Sequence, residues 1–143
     1  MNFAEARFGE DARFSESNFL AQTNFSQAQF QGVANFTEAI YEKGANFKQA
    51  HFSGIANWVR SHWLADADFA SVSWGNRVFF SKSRFSQSLL LSSATFERTV
   101  AFRKTRFYAP IDFQSVNLLG QVDFSNTACL QDAFLNVAGV AFD

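Results

Sequence analysis

An all-β solenoid, wound two eleven-residue units to the coil, is the fold predicted by three features of this sequence. Large apolar residues recur every eleven positions in two series offset by five. A small or β-branched residue usually stands two places before each. The residue between the two is usually polar. The first series runs Phe3, Phe14, Phe25, Phe36, Phe47, Trp58, Phe69, Phe80, Leu91, Phe102, Phe113, Phe124, Leu135. The second runs Phe8, Phe19, Phe30, Tyr41, Phe52, Trp63, Trp74, Phe85, Phe96, Phe107, Leu118, Cys129, Val140. Thirteen such units account for all 143 residues.

Each unit is numbered 1 to 11 from Met1, so the large residues fall at positions 3 and 8 and the small ones at 1 and 6. A spacing of two puts small and large side chains on one side of an extended chain, with the intervening residue outside. Helix does not fit, because steps of five and six walk around a 3.6-residue turn without making a stripe. An eleven-residue coiled coil would need steps of three and four. Short extended segments that cannot bury their own aromatics are stabilised by stacking identical coils. A 22-residue coil has four sides, each with one large and one small inward residue, and these interdigitate to fill the core. About six and a half coils follow from the length. At ~4.8 Å per coil the rod is roughly 30 Å long.

The remaining composition excludes more than it selects. The formal net charge is -1, so nothing pulls the whole chain toward nucleic acid or an anionic membrane. One Pro and twenty Phe argue for a packed domain rather than a disordered polymer. A lone cysteine, Cys129, rules out an internal disulfide framework and is expected as a small buried hydrophobe. No apolar run approaches a membrane span, and the acids in MNFAEARFGED leave no secretory core, so a cytoplasmic location is expected.

The units ANFTEAIYEKG, ANFKQAHFSGI and ADFASVSWGNR resemble the pentapeptide repeat family. That resemblance implies a right-handed quadrilateral β-helix over residues 1-143, with Ala34 and Phe36, Ala39 and Tyr41, Ala45 and Phe47 as its small and central pairs. Family members keep five residues per unit. Here units alternate five and six, which implies one widened turn in every eleven residues, at a corner the residues do not identify. Some relatives mimic duplex DNA and inhibit DNA gyrase through a long acidic face. This chain lacks the overall negative charge for that.

Along the chain, Trp58, Trp63, Phe69 and Trp74 share one coil and read as an over-filled core layer. A ligand site between indoles and a bulged wall with one exposed edge are the alternatives. Asp66, Asp68, Asp112 and Asp123 read as turn or surface groups that hydrogen-bond local amides. Gly32, Gly44, Gly54, Gly75 and Gly120 read as corner residues. Phe79 and Leu90 at outward position 2, with Phe134 and Phe142 near the end, are candidate apolar contacts. Residues 77–106 hold seven basic side chains against Glu97 alone. The 22-residue coil sets Arg60, Lys82 and Lys104 in one column and His62, Arg84 and Arg106 in the next. Together these form a candidate face for an anion or an acidic partner.

No metal-ligand spacing, nucleophilic triad or phosphate-binding loop occurs. His51 and His62 fall on opposite sides, and no catalytic, cofactor-binding or metal residue is assigned. The apolar end QDAFLNVAGVAFD lacks a polar cap, so an end-to-end homodimer or a flanking capping domain is expected to cover it. The function expected is a non-catalytic structural or protein-interaction scaffold. The alternatives are a DNA-mimicking gyrase inhibitor, or anion or nucleic-acid binding through the basic ladder.

Overall fold

In the computed structural model, which describes residues 1–142 and the side chains of 1–141, short strands stand where the eleven-residue pattern sets them. Every strand is two residues long, at positions 1–2 or 7–8 of its unit as far as Ala128–Cys129. They assemble into four parallel sheets, the four faces of the rod. The first face begins with Arg7–Phe8, the second with Ala12–Arg13, the third with Asn18–Phe19 and the fourth with Thr23–Asn24. Each strand pairs with the one a coil away, so Arg7 lies beside Gln29 and His62 beside Arg84. Partners are thus two units apart in sequence, as predicted.

Two kinds of corner join the faces. Between positions 3 and 6 the chain makes a tight turn closed by the amide of position 6 on the carbonyl of position 3, as in Ala28 N–H to Phe25 O at 3.0 Å. Position 5 is left-handed there, and never glycine in the regular coils: Gln27 has φ 58°, Arg60 57° and Lys82 59°. A left-handed residue with a Cβ costs about 1–2 kcal/mol. Two bonds offset the cost. The position 5 amide donates to the next coil (Gln27 to Lys48 O, 2.8 Å), and an outward Asx at position 2 accepts the position 4 amide (Asn24 Oδ1 from Ser26 N, 2.9 Å). Asp68, Asp112 and Asp123 do the same, and Asp66 caps the amide of Ser88 a coil away. The other corner holds positions 9, 10 and 11, and this is where the extra residue per eleven resides.

Glycines at that second corner serve close approach rather than unusual torsions. A Cβ on Gly32 would lie 2.7 Å from the Glu10 carbonyl carbon, and one on Gly54 would run into the carbonyl of Gly32. Gly44 has room, its nearest neighbour being the Gln22 side chain at 3.4 Å.

Inside, the rings form four stacked columns. Phe14, Phe36, Trp58, Phe80, Phe102 and Phe124 lie nearly parallel at 5.0–5.2 Å between centroids. Neighbouring columns meet edge to face, as Phe25 and Phe36 do at 5.6 Å and 87°. Both arrangements suit aromatic quadrupoles. Trp58, Trp63 and Trp74 are fully buried, so their coil is core and has no exposed indole edge. The indole of Trp58 donates to Tyr41 Oη at 3.1 Å, and that of Trp63 to Ser61 Oγ at 2.8 Å. Burial holds the Tyr41 phenol well above its ordinary range, although the Trp58 bond pulls the other way. The indole nitrogen of Trp74 is buried without a partner.

The predicted register fails at the last unit. Leu135 pairs with Ile111 and Ala141 with Asn117, separations of 24 instead of 22. An additional turn at Leu130–Ala133, with Gln131 at φ 55°, absorbs two residues. Leu135 therefore takes a small-residue place, as Val140 does, rather than the large-residue places expected. The physical reason lies at position 5. Without the slip, Val137 would occupy the left-handed site, where a β-branched residue is strained. With it, Gly139 does, at φ 67°. Cys129 is also corrected: it is exposed, not buried. Its strand ends the third face, and among the described residues no further coil stacks over it.

Candidate functional site

The corner between the second and third faces, with the third face itself, gathers the basic residues of the middle of the chain. Position 5 contributes the column Glu16, Glu38, Arg60, Lys82, Lys104, each held outward by its left-handed backbone. Position 7 contributes Asn18, Ile40, His62, Arg84 and Arg106, paired rung on rung through the parallel sheet. Lys82, Arg84, Lys104 and Arg106 thus form a square, ~4.8 Å along the rod and roughly 6 Å across it. All four are exposed, and none makes an ion pair among the described residues. The two outer members of the predicted face differ. Arg60 is bound by Glu38, Nη2 to Oε1 at 2.7 Å. His62 is half-buried, and its pKa is lowered first by burial and then by the Arg84 charge, so it adds no cation at neutral pH.

Like charges ~5 Å apart repel by about 0.8 kcal/mol per pair even in bulk water. Splayed side chains reduce that, and an anion seated among them reverses it. Arg84 is partly fixed, its guanidinium lying 4.6 Å from the Tyr108 ring centroid. Tyr108, Ser81 and Arg103 are members of the site that the column pattern alone did not pick out. Ser81, Lys82, Arg103 and Lys104 line a shallow open depression. Arg103 is engaged by Asp123 at 3.5 Å, and the Asp123 carboxyl is held below its usual range first by the Ser125 hydroxyl, then by the Ser125 amide. The square is therefore bounded by acids, Glu38 on one side and Asp123 on the other.

The apolar candidates are dispersed. Phe79 is half-buried with the Arg77 guanidinium 5.9 Å from its ring centre, and Ala101 beside it is buried. Leu90 is half-buried in register between Asp68 and Asp112. Phe134 is 59% exposed, close to exposed Leu130, Leu135 and Val137 at the end of the rod. Phe142 pairs through its backbone with Leu118, and its side chain lies outside the described part. Leu20 and Leu64, exposed at position 9 on the corner that follows the third face, were not singled out by the sequence reading; their separation of four units, two coils, is the signal. Among the described residues no cluster of three or more His, Cys, Asp or Glu is placed to hold a metal ion. No helix is long and apolar enough to cross a membrane.

No curated protein matches the chain. Among solved structures it is similar to QnrB1, described as a plasmid-mediated fluoroquinolone resistance protein. That match has 17% identity, covers 96% of this chain and 91% of the other, and has a TM-score of 0.24. Residues 3–51 match the family model for pentapeptide repeats, in nine copies. The coil those residues form continues in unchanged register to Cys129, four-sided throughout. Over residues 3–51 the chain is similar to the pentapeptide repeat family, and the same winding continues beyond them.

Proposed function

We propose that the protein is a non-catalytic interaction scaffold whose contact surface is the cationic square Lys82, Arg84, Lys104 and Arg106, binding a short run of carboxylates on a protein partner. The observation that carries this reading is four exposed cations on adjacent rungs with no acidic partner, while Arg60 and Arg103 nearby are neutralised. Its length decides the class of partner. The unpaired cations span two coils, about 5 Å between rungs, with Glu38 and Asp123 beyond them. A duplex or long polyanion running along the rod would cross those acids, whereas a cluster of two to four carboxylates would not. The aromatics point inward and offer no stacking platform for bases. DNA mimicry requires a long acidic surface, and the position 5 column is acidic only at Glu16 and Glu38.

The test is fluorescence anisotropy with a labelled hexaglutamate peptide and with a 20-base-pair duplex. The expected result is salt-sensitive peptide binding, abolished in a K82A/R84A/K104A/R106A variant, with weak or no duplex binding. Duplex binding tighter than peptide binding, or peptide binding unchanged in the variant, would overturn the reading. A supercoiling assay in which the protein inhibits gyrase would revive the mimicry alternative. The exposed apolar end around Phe134 is a separate contact, for a second copy end to end or a capping segment. Sedimentation of a Phe134→Asp variant tests the first.

A further inference from the structure

The third face is self-complementary. A two-fold axis lying in that face, across the rod at the rung of Arg60, His62 and Leu64, turns the rod end for end and sets each rung against its mirror in sequence. Position 5 then matches Glu16 with Lys104 and Glu38 with Lys82. At position 9 Leu20 meets Tyr108, and Leu64 meets its own copy. Parallel pairing of every strand with the one a coil away keeps these rungs equidistant from the axis, so one rotation aligns these position 5 and position 9 pairs at once, while at position 7 it sets Arg106 against Asn18 and Arg84 against Ile40.

We propose that the carboxylates that seat on the lysine edge of the cationic square, Lys82 and Lys104, are those of a second copy of this chain, giving a side-by-side antiparallel dimer through the third face. This rests on the reading that the square binds carboxylates and names their source. Charge complementarity selects the occupant: the acidic rungs fall where a two-fold operation needs them. Arg60, the one residue that would face its own like charge across the axis, is held by Glu38 of its own chain, which the pairing places between Arg60 and the partner's Lys82. Exposed Leu20 at 64% and Leu64 at 42% gain apolar neighbours in the pairing. Five rungs of ~4.8 Å make a small interface, at the low end for specific association, so the dimer is weak and salt-sensitive.

A charge-swap series tests it by sedimentation velocity at low salt over a range of concentrations. Glu and Lys both already occupy position 5 of this fold, so the swaps leave the left-handed backbone as it is. The parent chain is expected to dimerise. E16K/E38K and K82E/K104E are each expected to weaken dimerisation at least tenfold, because each brings like charges together. An equimolar mixture of the two is expected to form a heterodimer, and the fourfold variant E16K/E38K/K82E/K104E to recover the homodimer. A parent that stays monomeric, or a dimer indifferent to the swaps, overturns the proposal. Hexaglutamate binding separates the two readings. If the peptide binds a chain that never dimerises, the square binds carboxylates but not those of a second copy. If neither associates, both readings fall.

Discussion

Replacing Ser61 by Ala is expected to cost about 2 kcal/mol, because it orphans a buried indole. Ser83 Oγ donates to the Trp58 carbonyl at 2.7 Å, and a hydroxyl has one proton. The 2.8 Å contact between the two serine oxygens is therefore donated by Ser61. Ser61 Oγ is left to accept the Trp63 indole at 2.8 Å. Removing that oxygen leaves Trp63, fully buried, with an unpaired N–H, a penalty of ~1–3 kcal/mol. Trp74 already carries that penalty, and Val72 stands two residues before it as Ser61 stands two before Trp63. Val72→Thr is thus the inverse experiment. Thr105 shows that a position 6 threonine hydroxyl donates to the position 3 carbonyl one coil below, Phe80 O at 2.9 Å. For residue 72 that carbonyl is Phe47, and the same oxygen would accept from Trp74. Burying a hydroxyl in place of a methyl normally costs ~1–3 kcal/mol; here it should be neutral within about 0.5 kcal/mol or stabilising. Guanidinium denaturation followed by tryptophan fluorescence reads both. With a slope of ~4 kcal/mol/M, S61A lowers the midpoint by roughly half a molar. A loss under about 0.5 kcal/mol for S61A, or over about 1.5 kcal/mol for V72T, would refute this account of the core.

Gly54→Ala should destabilise by about 1–3 kcal/mol, since its Cβ would enter the carbonyl of the coil below. Gly44→Ala, with open space, should change the same denaturation midpoint little, and equal effects would sink the close-approach explanation. The folded state lowers the His62 pKa, so the unfolded chain takes up a proton more readily. Stability present above the unfolded value of 6.5 is therefore lost as pH falls through the lowered folded one. Thermal midpoints at pH 8 and pH 5 should separate less in His62→Gln than in the parent. Glu38→Gln breaks the exposed Arg60 pair and should move the midpoint by less than about 1 kcal/mol.

The sequence by itself determined the winding. An aromatic every five or six residues with a small neighbour two before it has one consistent solution, because inward side chains must fill a four-sided core layer after layer. It also determined the columns: once two units make a coil, Lys82 and Lys104 must stack. Tertiary structure decided what periodicity does not encode. Which corner holds the extra residue depends on hydrogen-bond closure, the tight one from position 3 to 6. The slip that exposes Leu135 and Val137 is a local competition in which the left-handed site takes Gly139 over Val137, while the pattern LNVAGVAF fits either register by alternation alone. Cys129 is exposed because burial needs a coil on both sides, a property of place in the stack rather than of residue type. Arg60 belonged to the ladder on spacing but is withdrawn from it by Glu38, a partner one coil away that only the assembled faces bring within 2.7 Å.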